Sequence, residues 1–72
     1  MEDLIGEYTA TNPYYPKRGR LPFIVHSIGY GEYPINVSTV EYKGPKRIPV
    51  KSGYSEAAIR SLIERGIIRR RV

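Results

Sequence analysis

The sequence predicts an α+β fold, in which a small, strongly bent antiparallel sheet or partial barrel of about four to five short strands carries one helix in the C-terminal half. Residues 1–50 show short strand-like apolar runs separated by prolines and glycines, and residues 55–65 show helical spacing of apolar side chains. The 72 residues allow one domain, 1–72. A domain of this size buries only about 60% of its unfolded surface, so each apolar segment must join a single core.

The first third of the chain combines a short strand with a long irregular segment. Residues 1–6 indicate a short helical turn or a frayed end, and residues 7–11 have strand propensity. The pair Asn12-Pro13 marks a break. Residues 12–22 are predicted to form a long basic loop, because three prolines and Gly19 exclude a continuous helix or a central strand.

Two apolar runs in the middle of the chain are predicted to be strands. Residues 23–28 have apolar side chains on both faces, which indicates a central strand. Residues 35–42 form the clearest strand, and their apolar phase slips by one at Ser38-Thr39, which predicts a β-bulge or a bend there. Residues 48–50 form a short returning strand, which Pro49 restricts to an edge of the sheet.

Residues 55–65 form the predicted helix. Ser55 is a suitable N-cap, and Gly66 is a suitable left-handed stop. An isolated helix of this length is unstable, so its apolar stripe must pack on the sheet. The stripe consists of Ala58, Ile59, Leu62 and Ile63. Residues 67–72 are predicted to be a final short strand, with Ile68 and Val72 facing inward.

The segment SGYSEAAIRSLIERGIIRRR, residues 52–71, resembles the recognition helix and first wing strand of a winged-helix domain. The match covers under a third of the chain. That family also has two helices upstream, whereas residues 12–50 are rich in proline and strand formers. The resemblance is therefore a local analogy, and it implies neither the whole fold nor the function.

The positive charge of the chain is concentrated in three blocks. The net charge is +5, and residues 11–20 hold three bases with no acid. Residues 41–51 hold four bases against one acid, and residues 69–71 are three arginines. Clustered cations attract polyanions, whereas a general excess of charge serves solubility alone.

The composition argues against catalysis and against bound metal. The chain has no cysteine, which excludes disulfides and thiolate sites. His26, the single histidine, falls in the most apolar strand, where we expect a packed and hydrogen-bonded side chain. We therefore expect no enzyme activity, no metal and no cofactor. The acidic N-terminus and the lack of a long apolar run predict a cytoplasmic protein that does not contact a membrane.

Tyrosines are interleaved with the basic residues, a combination that suits nucleic acid. Lysine and arginine meet phosphates, while aromatic rings stack on bases at about 1–3 kcal/mol each. For Tyr14 and Tyr15, packing on the edge of the core is the alternative. The candidate nucleic-acid-binding residues are Tyr14, Tyr15, Lys17, Arg18, Arg20, Tyr42, Lys43, Lys46, Arg47, Arg69, Arg70 and Arg71.

The leading hypothesis is a small, non-catalytic nucleic-acid-binding module. RNA or single-stranded DNA is favoured over base-specific duplex reading, because the predicted helix has balanced charge. The alternatives are a protein-interaction accessory subunit, a small inhibitor of a larger complex, or a ribonucleoprotein subunit. Pairing of two copies through an open sheet edge also remains open. The nucleic-acid hypothesis requires the three basic blocks to meet on one surface.

Overall fold

The computed structural model describes residues 1–71, which form an open five-stranded antiparallel sheet with a helix packed on one face. The predicted α+β class is confirmed. The elements in chain order are β1 (Gly6–Ala10), β2 (Leu21–Ile28), β3 (Ile35–Lys43), β4 (Lys46–Tyr54), α1 (Glu56–Glu64) and β5 (Ile68–Arg70). Short 3-10 turns occupy Glu2–Leu4 and Pro16–Arg18. The strand order is β4-β3-β2-β1-β5, so β2 is central as predicted.

One core lies between α1 and one face of the sheet. Ile59 of α1 is 0% exposed, and Leu62 packs against the same cluster, whereas Ile63 is left exposed. The cluster comprises Leu4, Tyr8, Phe23, Val25, Ile35, Val37, Ile59 and Ile68. Because neighbouring strand residues point to opposite faces, the residues out of phase with this core form a second face without a helix. We call it the helix-free face.

A β-bulge does occur, but in β2 and not in β3. The pairing of β2 with β3 shifts between Val25 and Ser27, which leaves His26 as the additional residue. The extra residue changes the phase of β2, so Val25 and Ile28 both contact the core. The register shift therefore lies in β2, next to the strand in which the sequence predicted it.

The predicted irregularity at Ser38-Thr39 is wrong. The ladder between β3 and β4 runs without a break through both residues. Val40 and Tyr42 consequently do not return to the core but lie on the helix-free face. The first apolar residues of β3, Ile35 and Val37, face the core, and the later ones face the opposite side. This change of face produced the apparent slip in the sequence.

β4 is an edge strand, as Pro49 predicted, although it is longer than expected. A two-residue turn joins β3 to β4, so Lys43 and Lys46 form its hydrogen-bonded closing pair. Alternation of the ladder then turns the nitrogen of Pro49 away from β3. Pro49 therefore removes a donor from the open edge without weakening the pairing of β4 with β3.

The predicted basic loop ends two residues early, because Leu21 and Pro22 belong to β2. Both pair with β1, where Pro22 lies opposite Thr9. The pairing of β2 with β3 begins only at Phe23. The missing N–H of Pro22 therefore costs no bond on that side, and a proline is tolerated at the start of a central strand.

The helix has the predicted caps. The Ser55 hydroxyl accepts a hydrogen bond from the first turn at 3.2 Å. At the other end Gly66 has a φ of +73°, and the N–H groups of Gly66 and Ile67 donate to carbonyls of the last turn at 3.0 and 2.9 Å. This Schellman motif directs the chain into β5, where Ile68 is buried. The predicted inward position of Val72 lies outside the described residues.

Residues 1–55 contain four strands and two 3-10 turns where a winged-helix domain has two helices. The resemblance of residues 52–71 to that family is therefore restricted to a helix, a glycine stop and a strand. Within the described chain no helix is both long and apolar enough to cross a membrane.

Candidate nucleic-acid interface

Basic side chains gather on the helix-free face. Arg47 and Lys51 of β4 are out of phase with the core, as is Arg69 of β5. Arg71 follows β5, and its N–H donates to the carbonyl of Glu7 at 3.0 Å, which extends the pairing with β1. All four basic residues are exposed.

Three arginines, one from each basic block, line a single cavity of about 560 Å³ on this face. They are Arg20, Arg47 and Arg71. Arg47 lies on one edge strand and Arg71 follows the other, so the sheet curves around this arginine cavity. Glu7 is the single carboxylate among the described residues that line it. The other lining residues are Tyr8, Thr9, Pro22 and Ile24.

Arg20 is held in place by the protein itself. Its Nε donates to Thr9 Oγ1 at 2.8 Å, and its Nη2 donates to the carbonyls of Thr9 and Ile67 at 2.9 and 3.0 Å. These bonds join the β1–β2 loop to β1 and to the turn before β5. A guanidinium has five N–H donors, and those of Nη1 make no hydrogen bond within residues 1–71. Arg20 is thus a cation that the fold holds in place, and its Nη1 donors are available to a ligand.

The cations of this face have no carboxylate partner in the described part of the chain. The ion pairs there join Arg60 to Glu56 at 2.8 Å, and Asp3 both to Arg60 and to the N-terminal ammonium at 3.4 Å. Desolvation raises the pKa of Asp3, but the ammonium and Arg60 outweigh it, so its pKa is lowered. The hydrogen bond to Glu56 raises the pKa of Arg60. The nearby acids therefore neutralise the arginine of α1 and leave the helix-free face positive.

Asn12 sets the direction of the basic loop. Its buried Oδ1 accepts hydrogen bonds from the backbone N–H groups of Tyr14 and Tyr15 at 3.1 and 2.9 Å. Asparagine before proline favours such a turn, because the side chain replaces a backbone acceptor. The two tyrosines are consequently fixed next to the β3–β4 turn.

Tyr14, Tyr15 and Tyr42 form a tyrosine cluster at the end of the sheet that carries this turn. The ring centroid of Tyr42 lies 4.8 Å from that of Tyr15 and 5.9 Å from that of Tyr14. The Tyr15 hydroxyl donates to the carbonyl of Gly44 at 3.3 Å. The rings thus pack on one another, yet Tyr14 is 50% exposed. The Arg18 guanidinium already covers the Tyr15 ring at 4.6 Å, which leaves Tyr14 as the available stacking surface.

Four further predicted cations surround the tyrosine cluster. Lys17 and Arg18 lie in the 3-10 turn of the loop, and Lys43 and Lys46 face each other across the β3–β4 turn. All four are exposed. Like charges directly opposite in a ladder repel, so an anion bound between the two lysines would relieve an unfavourable contact.

Arg70 does not belong to the helix-free face; Lys43 and Lys46 also share the phase of the core, but they lie at the β3–β4 turn beside the tyrosine cluster. Arg70 shares the phase of the core, and its guanidinium lies 4.8 Å from the centroid of the Tyr8 ring. It donates to the carbonyls of Ile5, at 3.0 Å, and of Asp3. Gly6, beside this guanidinium, has a φ of +151°, a backbone conformation that residues with a side chain rarely adopt, so this position favours glycine. Arg70 fastens the N-terminal turn to β5.

Two residues of the helix-free face, Lys51 and His26, were not predicted from the sequence as candidate functional residues. Lys51 follows Pro49 by two positions, and the period of a strand would have placed it beside Arg47. His26 was expected to be packed; it is exposed at the bulge, and its Nε2 is hydrogen-bonded to Ser38 Oγ as anticipated. The exposure of His26 follows from the bulge in β2, and the sequence pattern had predicted the bulge in β3 instead.

Comparison with known protein families, curated proteins and solved structures finds no match to this chain. Nowhere in residues 1–71 do three or more histidine, aspartate or glutamate side chains form a group that could hold a metal ion.

Proposed function

We propose that this domain is a non-catalytic binding module for RNA or single-stranded DNA, and that the nucleic acid lies on the helix-free face. The proposal depends chiefly on Arg20, Arg47 and Arg71, which come from three separate basic blocks and line one cavity with a single carboxylate. Unpaired cations on one surface bind the phosphates of a nucleic acid and release its counterions. The absence of cysteine from the sequence is in keeping with a cytoplasmic location.

The surroundings of the arginine cavity favour a single strand over a duplex. The tyrosine cluster offers a partly exposed aromatic surface for bases, and stacking on aromatic rings needs unpaired bases. Base-specific duplex reading commonly uses a helix in the major groove. The α1 helix is poorly suited to that role, because Arg60 is paired with Glu56 and Asp3, and Ile59 and Leu62 pack on the sheet.

The test is a binding titration with short RNA, single-stranded DNA and duplex DNA of one sequence, at about 50 and about 200 mM salt. We expect both single strands to bind at low salt and to weaken steeply at high salt. Failure of all three at low salt would overturn the proposal. Tighter binding of the duplex would retain nucleic-acid binding but overturn the preference for single strands.

Protein interaction is the second candidate, and a different part of the molecule favours it. Tyr30 is 100% exposed and Tyr33 is 65% exposed in the β2–β3 loop, at the end of the sheet away from the tyrosine cluster. The loop is held closed, because the N–H of Gly29 donates a hydrogen bond to the carbonyl of Pro34 at 2.6 Å. Gly53 of β4 also allows the loop to lie close to the sheet, since a Cβ at this position would be 2.9 Å from the carbonyl oxygen of Tyr33. Exposed tyrosines are typical of interfaces.

An accessory subunit, an inhibitor or a ribonucleoprotein subunit would use this loop to contact a protein. The measurement is recovery of partners from nuclease-treated extract with the wild type and with a Tyr30→Ala, Tyr33→Ala double variant. A partner retained by the wild type and lost by the variant would support this function. Equal recovery with both proteins would exclude the loop as the interface.

A further inference from the structure

We propose that His26, Ser38 and Lys51 form a second anion site on the helix-free face, which binds a phosphate group more tightly when His26 is protonated. The site deepens the proposed function, on which it rests, by adding a phosphate position to the same surface. It lies outside the arginine cavity. His26 and Lys51 line a separate cavity, and Ser38 on the strand between them is hydrogen-bonded to His26.

The β-bulge creates the site. His26 is the additional residue in β2, and its side chain is exposed instead of being packed into the sheet. Its Nε2 is hydrogen-bonded to Ser38 Oγ of β3. Lys51 of β4 lies directly opposite Ser38 in the next ladder. Both His26 and Lys51 line one open cavity of about 500 Å³.

Protonation changes what this group of side chains presents to an anion. With neutral His26 and an unprotonated Nε2, the Ser38 hydroxyl donates its proton to the ring. In the imidazolium both ring nitrogens are donors, so Nε2 donates to Ser38 Oγ and the hydroxyl proton is released to point outward. An anion in the cavity then meets the imidazolium and the Lys51 ammonium, and the freed Ser38 hydroxyl lies beside the ring. Charge-assisted bonds of this kind are the strong ones.

Neighbouring charges make protonation and anion binding mutually dependent. Lys51 is the single charged side chain among the other described residues that line the cavity, so no carboxylate there can pair with an imidazolium. Glu7 of β1 lies opposite Ile24 and lines the arginine cavity instead. The β1 residue opposite Val25 is Gly6, which has no side chain, and α1 packs on the other face. A bound phosphate therefore supplies the counter-charge that the imidazolium needs.

The two sites lie next to each other along β2. Ile24 contributes to the arginine cavity, and His26 follows two residues later, about 7 Å along the strand. One extended nucleic-acid strand can therefore contact both.

The test compares affinity for an oligonucleotide without terminal phosphates at about pH 5.5 and about pH 8, because diester phosphates do not titrate in this range. We expect the wild type to bind about tenfold more tightly at the lower pH, the gain of one hydrogen bond to a charged group. His26→Gln retains an amide that can bond to Ser38 but cannot gain charge, so its affinity should not vary with pH. Ser38→Ala should reduce the gain while the histidine still titrates. Circular dichroism checks folding at each pH.

A second measurement separates this site from the proposed function. Inorganic phosphate is titrated against the protein at about pH 5.5 while the NMR signals of the His26 ring are followed, and we expect phosphate to shift these signals in the wild type. If oligonucleotides bind with the same pH dependence in the wild type and in His26→Gln, the site is overturned and the function stands. If phosphate shifts the His26 ring signals while no oligonucleotide binds, the site stands and the function fails. If neither ligand responds to His26, the site is overturned.

Discussion

Removing two arginines from the arginine cavity should flatten the salt dependence of nucleic-acid binding. For single strands the slope of log K against log salt is about −0.7 per phosphate contact, so Arg20, Arg47 and Arg71 together give about −2. These three contacts should account for roughly 20-fold of the affinity that the wild type loses between about 50 and about 200 mM salt. Arg47→Gln with Arg71→Gln leaves a contribution of about −0.7, or roughly a threefold loss. Arg20 is left intact because its hydrogen bonds to Thr9 and Ile67 support the fold.

The assay is fluorescence anisotropy with a labelled single strand, repeated at four or more salt concentrations. Arg60→Gln with Arg65→Gln is the matched control, because it removes the same charge from α1 and its C-cap. If the control flattens the slope as much as the cavity variant, binding follows net charge alone and the assignment to the helix-free face fails. A slope for Arg47→Gln with Arg71→Gln equal to that of the wild type would refute it as well.

Three further predictions follow from individual side chains. Tyr14→Ala should weaken binding of a single strand by about 1–3 kcal/mol, whereas Tyr30→Ala at the other end of the sheet should leave the affinity unchanged in the same titration. Arg70→Gln should lower the free energy of unfolding by about 1 kcal/mol in urea while weakening nucleic-acid binding less than Arg71→Gln; the opposite order would contradict its role as a fastener. Because the pKa of Asp3 is lowered in the fold below its ordinary value of 3.8, its contribution to stability is present above that pH and lost as the pH falls through the folded pKa. Urea unfolding at about pH 6 and about pH 3 should therefore show a larger loss for the wild type than for Asp3→Asn, and equal losses would exclude the ion pairs as the cause.

The elements that the sequence predicted best are those with local chemical signals. Ser55 and Gly66 mark the ends of α1 because capping is decided within a few residues of each end. Pro49 identified an edge strand because a missing N–H excludes a central position. Pro22 gave the opposite result: it was assigned to the loop, yet it lies where β2 has a partner on one side only.

The features that escaped prediction depend on how the strands are arranged relative to each other. The bulge was inferred from the apolar pattern of β3, but the helix-free face has its own aromatic cluster, and this keeps Tyr42 partly buried outside the core. The three arginines of residues 69–71 are equivalent in the sequence. Only the pairing of β5 with β1 turns Arg70 towards Tyr8 and leaves its neighbours on the helix-free face. The convergence of the three basic blocks on one cavity likewise depends on the order and curvature of the strands, which local sequence signals do not give.

The additional residue in β2 divides that strand into two halves with opposite rules for substitution. Up to Val25 the odd-numbered side chains contact the core, and beyond His26 the even-numbered Ile28 does so. A saturation scan of β2 should therefore show tolerance with a period of two whose phase reverses at His26. Deleting His26 would restore unbroken alternation from Val25 through Ser27 to Ile28, so Ile28 would stay in the core and only the exposed imidazole would be lost. The packing of the sheet can therefore do without the bulge, whereas the chemistry of its open face at this position cannot.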